Sequence, residues 1–300
     1  MKVLLPYAEA EVGALPPGVE VLRFDGTGEV PSLGEVEFYV PPYLFGEEVY
    51  ALMRDMPALR VCQTLTAGVD SVLPHVPPGV TLCNAKGVHD ASTAELVVTL
   101  ILAALRGIPE FVRVQDAREW AHEQRPALAD RTVLIVGYGA VGAAVERRLS
   151  GFEVDVLRVA RSAREGVASF AELPELLPRA DVVVLVVPMT DETRGMVGAE
   201  FLSRMRDGAL LVNAARGPVV HTDALLAELS SGRLRAALDV TDPEPLPSDQ
   251  PLWSAPGVLI TPHVGGNTSA FLPRAFALLR SQLQRFVGGK PLANVVTGPY

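Results

Sequence analysis

The chain has 300 residues, of which 49% are hydrophobic and 20% charged, and this composition excludes a disordered or fibrous protein. Its formal net charge of −9 at pH 7 produces an overall field that repels nucleic acid and anionic membranes, so we expect neither as a partner. Two cysteines are too few for a disulfide framework or a thiolate-rich metal site, which favours a cytoplasmic protein without a metal centre. No apolar run reaches the roughly 20 residues that span a bilayer.

The first 91 residues contain short apolar runs separated by proline and glycine, with helical stretches such as residues 46–54 between some of them. This pattern predicts a small α/β layer. The predicted strands are Val3–Leu5, Val19–Phe24, Val36–Val40, Leu59–Val61 and Val80–Leu82. Ser92 is then the candidate N-cap of a strongly apolar helix over Thr93–Leu105, because Glu95 follows it at capping-box spacing. This helix is a candidate hinge or dimer contact.

From Thr132 onwards, strands that are apolar on both faces alternate with helices. Such strands are typical of a parallel sheet that is covered on both sides, which predicts a doubly wound α/β domain. The predicted strands are Val133–Val136, Val154–Val159, Val182–Val187, Ala209–Asn213, Arg235–Val240 and Val258–Ile260. A last amphipathic helix, Ser269–Phe286, is expected to return to the first domain.

The first strand of this domain runs directly into a G-x-G-x-x-G motif and then into a helix. The motif consists of Gly137, Tyr138, Gly139, Ala140, Val141 and Gly142. Glycines at this spacing allow a tight turn, close approach of the backbone to a pyrophosphate, and close packing of helix on strand. We therefore predict a dinucleotide site here, the alternative being a purely structural glycine turn.

The end of the second strand lacks the acidic residue that would bind the ribose 2′-hydroxyl of NAD. Arg158 lies 21 positions after Gly137, and if the strand is two residues longer its end is Ala160, followed by Arg161 and Ser162. Guanidinium groups in this stretch, with a third at Arg164, would suit a 2′-phosphate. We predict NADP(H) in preference to NAD(H), and the alternative is a solvated basic loop compatible with either.

Three further segments each follow a predicted strand of the same sheet, at the edge where ligands of such folds bind. They are Asn213–Pro218, Asp239–Pro245 and Thr261–Gly266. Together with the glycine motif they resemble the D-isomer-specific 2-hydroxyacid dehydrogenase family, in particular its glyoxylate/hydroxypyruvate reductase-like members. The resemblance extends over most of the chain, from Thr66–Asp70 through Ala94-Glu95 to the last segment.

The resemblance implies a Rossmann domain over residues 93–269 and a smaller, flavodoxin-like substrate-binding domain formed by residues 1–92 and 270–300. It also implies a small 2-keto or 2-hydroxy acid as substrate, and a homodimer formed through residues 93–105 and the segment leading to Trp120.

Reduction of a 2-keto acid needs a hydride donor, a proton donor at the carbonyl oxygen, and a cation that holds the carboxylate. By their places in the family motifs, Arg216 would bind the carboxylate and His263 would be the general acid in reduction and the base in oxidation. Glu244 would orient His263 and favour the imidazolium.

The resemblance further implies that Asp239 faces the nicotinamide carboxamide, and that backbone N–H groups of Thr66, Ala67 and Gly68 meet the substrate carboxylate. The remaining residues expected on the cofactor side, in addition to Arg216 and His263, are Val187, Pro188, Ala214, Ala215 and Gly265.

Two other functions are compatible with a nicotinamide-binding sheet of this kind. A short-chain reductase needs Tyr-x-x-x-Lys, and no tyrosine in the sequence has a lysine four residues later. The second is a non-catalytic, corepressor-like NAD(P) sensor on the same fold. Such a protein only binds the cofactor, so it would not need the acid/base set of Arg216, Glu244 and His263. Turnover, lost when His263 is replaced, would separate an enzyme from such a sensor.

Overall fold

In the computed structural model, which describes residues 1–43 and 45–297, the chain folds as two compact units. One consists of Met1–His89 and the chain from Ser269 onwards, and the other of Asp90–Thr268. Each is built around a parallel β-sheet, which confirms the predicted α/β class with two sheets. That the smaller unit binds substrate stays a prediction.

The smaller unit begins with a five-stranded sheet. Its strands are β1 (Lys2–Leu5), β2 (Glu20–Arg23), β3 (Val36–Tyr39), β4 (Val61–Gln63) and β5 (Thr81–Cys83), and its first helices are α1 (Glu9–Val12) and α2 (Glu47–Ala51). Single 3₁₀ turns lie at Leu52–Asp55 and Leu73–His75. The strand order is β2-β1-β3-β4-β5 with every pairing parallel, which is the flavodoxin-like order.

The larger unit contains six α-helices and seven strands among the described residues, besides short 3₁₀ turns. In chain order they are α3 (Asp90–Arg106), α4 (Ile108–Asp116), β6 (Thr132–Val136), α5 (Ala140–Leu149), β7 (Asp155–Ala160), β8 (Ala168–Ser169), α6 (Leu173–Leu176), β9 (Val182–Leu185), α7 (Ala199–Arg204), β10 (Leu210–Asn213), α8 (Thr222–Ser230), β11 (Arg235–Leu238) and β12 (Val258–Ile260). Helix α9 (Phe271–Val287) then completes the smaller unit.

The larger sheet has the order β12-β11-β10-β9-β6-β7-β8, again with every pairing parallel. Both of its faces are buried: Leu134 and Val183 belong to one hydrophobic cluster, and the alternate residues Val133 and Val182 belong to another. This explains why its strands are apolar without interruption, and it confirms the doubly wound Rossmann prediction. The strand order reverses between β6 and β9, where ligands of such sheets bind.

Helix α3 packs into one of these clusters through residues such as Val97, Ile101 and Leu105. Within residues 1–43 and 45–297, no single helix is long and apolar enough to cross a membrane. Only α3 and α4 taken together, with a bend of 63° between them, would satisfy the length and composition.

Several local predictions were wrong. Strand β4 is Val61–Gln63 rather than Leu59–Val61, and β11 ends at Leu238 rather than Val240. Helix α3 begins at Asp90, so Ser92 is not its cap but lies inside the first turn, buried, where its hydroxyl hydrogen-bonds Thr268 Oγ1 at 2.7 Å. The Ser92 hydroxyl, which the capping box would have bonded to the helix backbone, is bonded to Thr268 instead. Strand β9 ends at Leu185 rather than Val187, because the chain there meets the glycine turn described below.

Candidate active site

The four sequence motifs lie at one edge of the larger sheet. The glycine motif follows β6, Arg216 follows β10, Asp239 and Glu244 follow β11, and His263 follows β12. Since these strands are parallel, their carboxyl ends all meet at the same edge. The structure therefore brings the predicted dinucleotide motif and the predicted acid/base residues of this unit to the same edge of the sheet.

The glycine motif forms a tight turn against the end of β9. Gly137 has φ +105°, and a Cβ there would lie 2.6 Å from the carbonyl carbon of Val186, so no other residue fits. The N–H groups of Gly137 and Tyr138 both donate to Val159 O at 2.9 Å.

Helix α5 begins directly after this turn, at Ala140, and its N-terminus is open. No side chain in the described part of the chain caps it, and its first turn carries no acidic residue. Its leading N–H groups and the positive end of its dipole suit a pyrophosphate. The glycines and the uncapped helix therefore fit the pyrophosphate of a dinucleotide.

Strand β7 ends at Ala160, so the longer of the two predicted registers is the observed one. Arg158 accordingly lies within the strand and forms a bidentate ion pair with Glu146 of α5, with Nε to Oε2 at 2.8 Å. The hydrogen bond from Arg158 lowers the pKa of Glu146 against the opposing effect of burial, and the same bond raises the pKa of Arg158. Glu146 thus neutralises the guanidinium.

Arg161 is the first residue after β7, and its pairing is much looser. Its Nε lies 3.0 Å from Glu192 Oε2, and both side chains are about half exposed, so the pair contributes little. Arg164 donates from Nη2 to Tyr138 O, and the Tyr138 ring lies 5.7 and 5.8 Å from the guanidinium carbons of Arg158 and Arg164. Arg161 is therefore better placed than Arg158 to meet a phosphate.

The turn that carries Arg216 is shaped by Asn213, the last residue of β10. Asn213 Oδ1 accepts the N–H of Ala215 at 3.0 Å, and its Nδ2 donates to Arg216 O at 3.1 Å. The residue after Arg216 must be glycine, because a Cβ at Gly217 would lie 1.8 Å from Thr241 O. The Arg216 turn thus packs directly on the loop that leads to Glu244.

His263 and Glu244 form a hydrogen-bonded pair, with Nδ1 and Oε1 at 2.5 Å. A carboxylate accepts, so Nδ1 carries the proton, and the described residues place no partner on Nε2. Burial raises the pKa of Glu244, but the hydrogen bond and charge of His263, a backbone hydrogen bond from Thr241 and the charge of Arg216 outweigh it and bring that pKa below its usual value. Arg216 is therefore electrostatically coupled to the pair.

Asp239 has a structural role that the sequence did not predict. Its side chain is buried, with Oδ1 accepting from the Thr261 hydroxyl at 2.6 Å and the Val264 N–H at 2.9 Å, and Oδ2 accepting the Gly265 N–H at 2.9 Å. Its carbonyl accepts the N–H of His263 at 2.7 Å. Asp239 therefore holds the loop of His263, a residue with φ +52°. The predicted contact with a carboxamide stays a prediction.

The other residues expected on the cofactor side lie at the same edge. Val187 and Pro188 follow β9, Ala214 and Ala215 follow β10, and Gly265 follows His263. Ala214 donates its N–H to Leu185 O at 3.1 Å, which joins the ends of β9 and β10.

The predicted substrate loop, Thr66–Gly68, belongs to the smaller unit. It lies just beyond the carboxyl end of β4 and is partly exposed. Within the described residues, the N–H groups of Thr66 and Gly68 have no hydrogen-bond partner. They are open donors at the ligand-binding edge of the five-stranded sheet.

Comparison with known proteins gives a consistent result. Residues 98–265 match the family model described as D-isomer specific 2-hydroxyacid dehydrogenase, NAD binding domain. Glyoxylate/hydroxypyruvate reductase B from Salmonella newport is 36% identical over 232 residues, which cover 73% of this chain and 72% of the relative.

Two solved structures are similar over nearly the whole chain. One is the NADPH-dependent glyoxylate/hydroxypyruvate reductase from Sinorhizobium meliloti in complex with NADP and sulfate, with a TM-score of 0.83, 30% identity and 98% of each chain covered. The other is a D-isomer specific 2-hydroxyacid dehydrogenase from Xanthobacter autotrophicus Py2 in complex with NADPH and MES, with a TM-score of 0.81, 31% identity and 99% and 97% covered.

The chain therefore belongs to the D-isomer-specific 2-hydroxyacid dehydrogenase family, as its motifs predicted. It is an NAD(P)-dependent oxidoreductase with a nicotinamide-dinucleotide domain in its larger unit.

Proposed function

We propose that the enzyme reduces a small 2-keto acid, such as glyoxylate or hydroxypyruvate, to the 2-hydroxy acid with NADPH as the preferred cofactor. The observation that carries this proposal is the His263–Glu244 hydrogen bond, which is electrostatically coupled to Arg216 at the edge that carries the glycine motif. The reductases from Salmonella newport and Sinorhizobium meliloti support the substrate class.

In this proposal His263 donates the proton that the carbonyl oxygen gains. Glu244 holds Nδ1 and leaves Nε2 directed to the substrate, and its negative charge favours the imidazolium that acts as the acid. Arg216 supplies the cation that binds the substrate carboxylate and polarises the ketone. The reduced nicotinamide, when bound, supplies the hydride for the carbonyl carbon.

The preference for NADPH rests on the end of β7, where the sequence lacks the acidic residue that would bind the ribose 2′-hydroxyl of NAD. Arg161 is proposed as the main phosphate contact, since its pair with Glu192 is exposed and easily exchanged. The NADP and NADPH complexes of the two similar structures support this choice.

We also propose a homodimer, through α3, α4 and the segment that follows. Ile108 and Val112, four residues apart on α4, are each about half exposed, and Trp120 is 97% exposed. Ile108 and Val112 share one face of α4, and exposed large apolar side chains of this kind suit an interface. Light scattering at micromolar concentration should give about twice the 32.0 kDa of one chain, and a monomer would contradict the dimer.

The proposed reaction is tested by initial rates at 340 nm with NADPH and NADH, using glyoxylate, hydroxypyruvate, pyruvate and a bulkier 2-keto acid. We expect turnover with the small acids, faster with NADPH at subsaturating cofactor. Tight NADPH binding without turnover of any of the four acids would contradict the proposed substrate class.

A further inference from the structure

Five consecutive backbone carbonyls, from Thr64 to Gly68, each accept a hydrogen bond from a side chain. The donors are Gln63 Nε2 to Thr64 O at 2.9 Å, His89 Nε2 to Leu65 O at 2.7 Å, Thr64 Oγ1 to Thr66 O at 2.9 Å, Asn84 Nδ2 to Ala67 O at 3.0 Å and Thr66 Oγ1 to Gly68 O at 2.7 Å. Most backbone carbonyls bond to backbone N–H groups instead, so this loop is shaped by side chains to an unusual degree.

Two of these bonds act on the peptide groups that carry the open donors. The carbonyl of Leu65 and the N–H of Thr66 belong to one peptide plane, and the carbonyl of Ala67 and the N–H of Gly68 belong to another. In a trans peptide the C=O and the N–H point in opposite directions. His89 therefore fixes the direction of the Thr66 N–H, and Asn84 fixes that of the Gly68 N–H.

Both donor side chains are themselves held in place. Asn84 is half-buried, and its Oδ1 accepts the N–H of Lys86 at 3.1 Å. His89 is buried and stacks on Phe271 of α9, with ring centroids 5.1 Å apart. Because a carbonyl only accepts, His89 Nε2 carries the proton in this bond. The two N–H directions are thus set before any ligand arrives.

We propose that His89 and Asn84 are positioning residues, which aim the N–H groups of Thr66 and Gly68 at the substrate carboxylate. This rests on the proposed function, and on the predicted role of the loop in binding the carboxylate together with Arg216. A preorganised pair of donors binds an anion more tightly than a mobile loop, because less ordering is needed on binding. Affinity for the keto acid, rather than the chemical step, depends on the two residues.

The test uses two variants and a matched control. Asn84→Ala removes one donor, and His89→Phe removes the other while keeping an aromatic ring against Phe271. The control is Asn294→Ala, since Asn294 Nδ2 makes the same kind of bond at 3.0 Å, to Lys86 O outside the loop. Asn294 has φ +55°, which alanine adopts only with strain, and its carbonyl accepts the Asn84 N–H at 3.0 Å, so an unchanged KM in this control excludes a general disturbance of the neighbouring backbone as the cause.

We expect each loop variant to raise KM for the keto acid about tenfold or more, with a smaller change in kcat and an unchanged Kd for NADPH. The control should leave all three constants at their wild-type values. Thermal unfolding verifies that each variant is folded, and Asn84→Ser replaces Asn84→Ala if the latter is not. Folded loop variants with the wild-type KM would overturn the proposal.

Amide exchange separates this proposal from the proposed reaction. The N–H of Ala85 donates to Thr66 O at 2.9 Å, so its protection in the free protein reports on the loop without any substrate. Faster exchange at Ala85 in Asn84→Ala, but not in Asn294→Ala, is expected. Wild-type enzyme that turns over no 2-keto acid would refute the reaction, whereas normal turnover with unchanged KM and unchanged exchange in the variants would refute only the positioning roles.

Discussion

His263 donates its Nδ1 proton to Glu244 across 2.5 Å, and this pair determines which nitrogen can act on a substrate. With Nδ1 engaged, Nε2 is the nitrogen that can give or take a proton at the reacting oxygen. The loop that carries His263 is held separately, by Asp239. The ring of His263 is thus held by the Glu244 carboxylate, and its backbone is held by Asp239.

Glu244→Gln should keep a hydrogen bond to Nδ1 but remove the negative charge. We expect kcat/KM for reduction to fall about 10- to 100-fold near neutral pH. Because the variant keeps a hydrogen-bond acceptor at Nδ1, this loss of rate measures what the Glu244 charge contributes to the reaction.

Rates across pH 5–9, measured for wild type and variant, test this prediction. The pKa of Glu244 lies below its usual value, so the charge that the variant lacks is present in the wild type throughout this pH range. Equal kcat/KM values for wild type and variant across this range would show that the Glu244 charge does not contribute to the reaction.

Arg161→Ala should weaken NADPH about tenfold or more and leave NADH nearly unchanged, because only NADPH carries the 2′-phosphate. Fluorescence titration with both cofactors measures this. Arg147→Ala, an exposed arginine of α5, serves as the control. Equal losses for NADPH and NADH in Arg161→Ala would contradict the assigned contact.

Glu146→Gln should lower the free energy of unfolding by about 1–2 kcal/mol at pH 7, because the pair with Arg158 is partly buried. The pKa of Glu146 is lowered from 4.5 in the folded protein. Its stabilising effect is therefore complete above pH 4.5 and is lost as the pH falls through the lower folded value.

Urea unfolding between pH 3 and 7 should show a constant difference between wild type and Glu146→Gln above pH 4.5, and a shrinking one below it. Glu200→Gln removes an exposed pair with Arg204 and should change stability by less than about 0.5 kcal/mol. If the difference in the free energy of unfolding between wild type and Glu146→Gln grew as the pH fell, the stabilising role of the ionised Glu146 would be contradicted.

Asp239→Asn should destabilise the larger unit by about 1.5–3 kcal/mol, because asparagine keeps one acceptor oxygen but its NH2 group cannot accept, so at least one backbone N–H group that the buried carboxylate binds loses its partner. Asp242→Asn is the control, since Asp242 is exposed on the same segment. Urea unfolding with equal midpoints for the two variants would argue against the role of Asp239 in holding the loop.

Local patterns were sufficient to predict the two sheets and the glycine turn. Strands apolar on both faces can only be buried on both sides, and a G-x-G-x-x-G between strand and helix has few other uses. The positions of Arg216, Glu244 and His263 followed from the order of the motifs, because parallel strands bring their carboxyl ends to one edge.

Contacts between distant segments were not predictable in this way. Asp239 and Val264 are 25 residues apart, and nothing in the sequence around either residue indicates that one binds the other. The pairing of Arg158 with Glu146 depends on the exact end of β7, which a run of β-branched residues defines only to within two positions. The capping prediction at Ser92 was wrong because a tertiary partner, Thr268, binds its hydroxyl.

The most direct test of the central claim is the turnover of His263→Asn with NADPH and glyoxylate. Asparagine tolerates the left-handed backbone that this position requires, at φ +52°, and it cannot act as a titrating acid. We predict that kcat falls about 10²- to 10⁴-fold while NADPH still binds within a few-fold of wild type. Turnover at the wild-type rate in a variant that binds NADPH would show that His263 is not the proton donor.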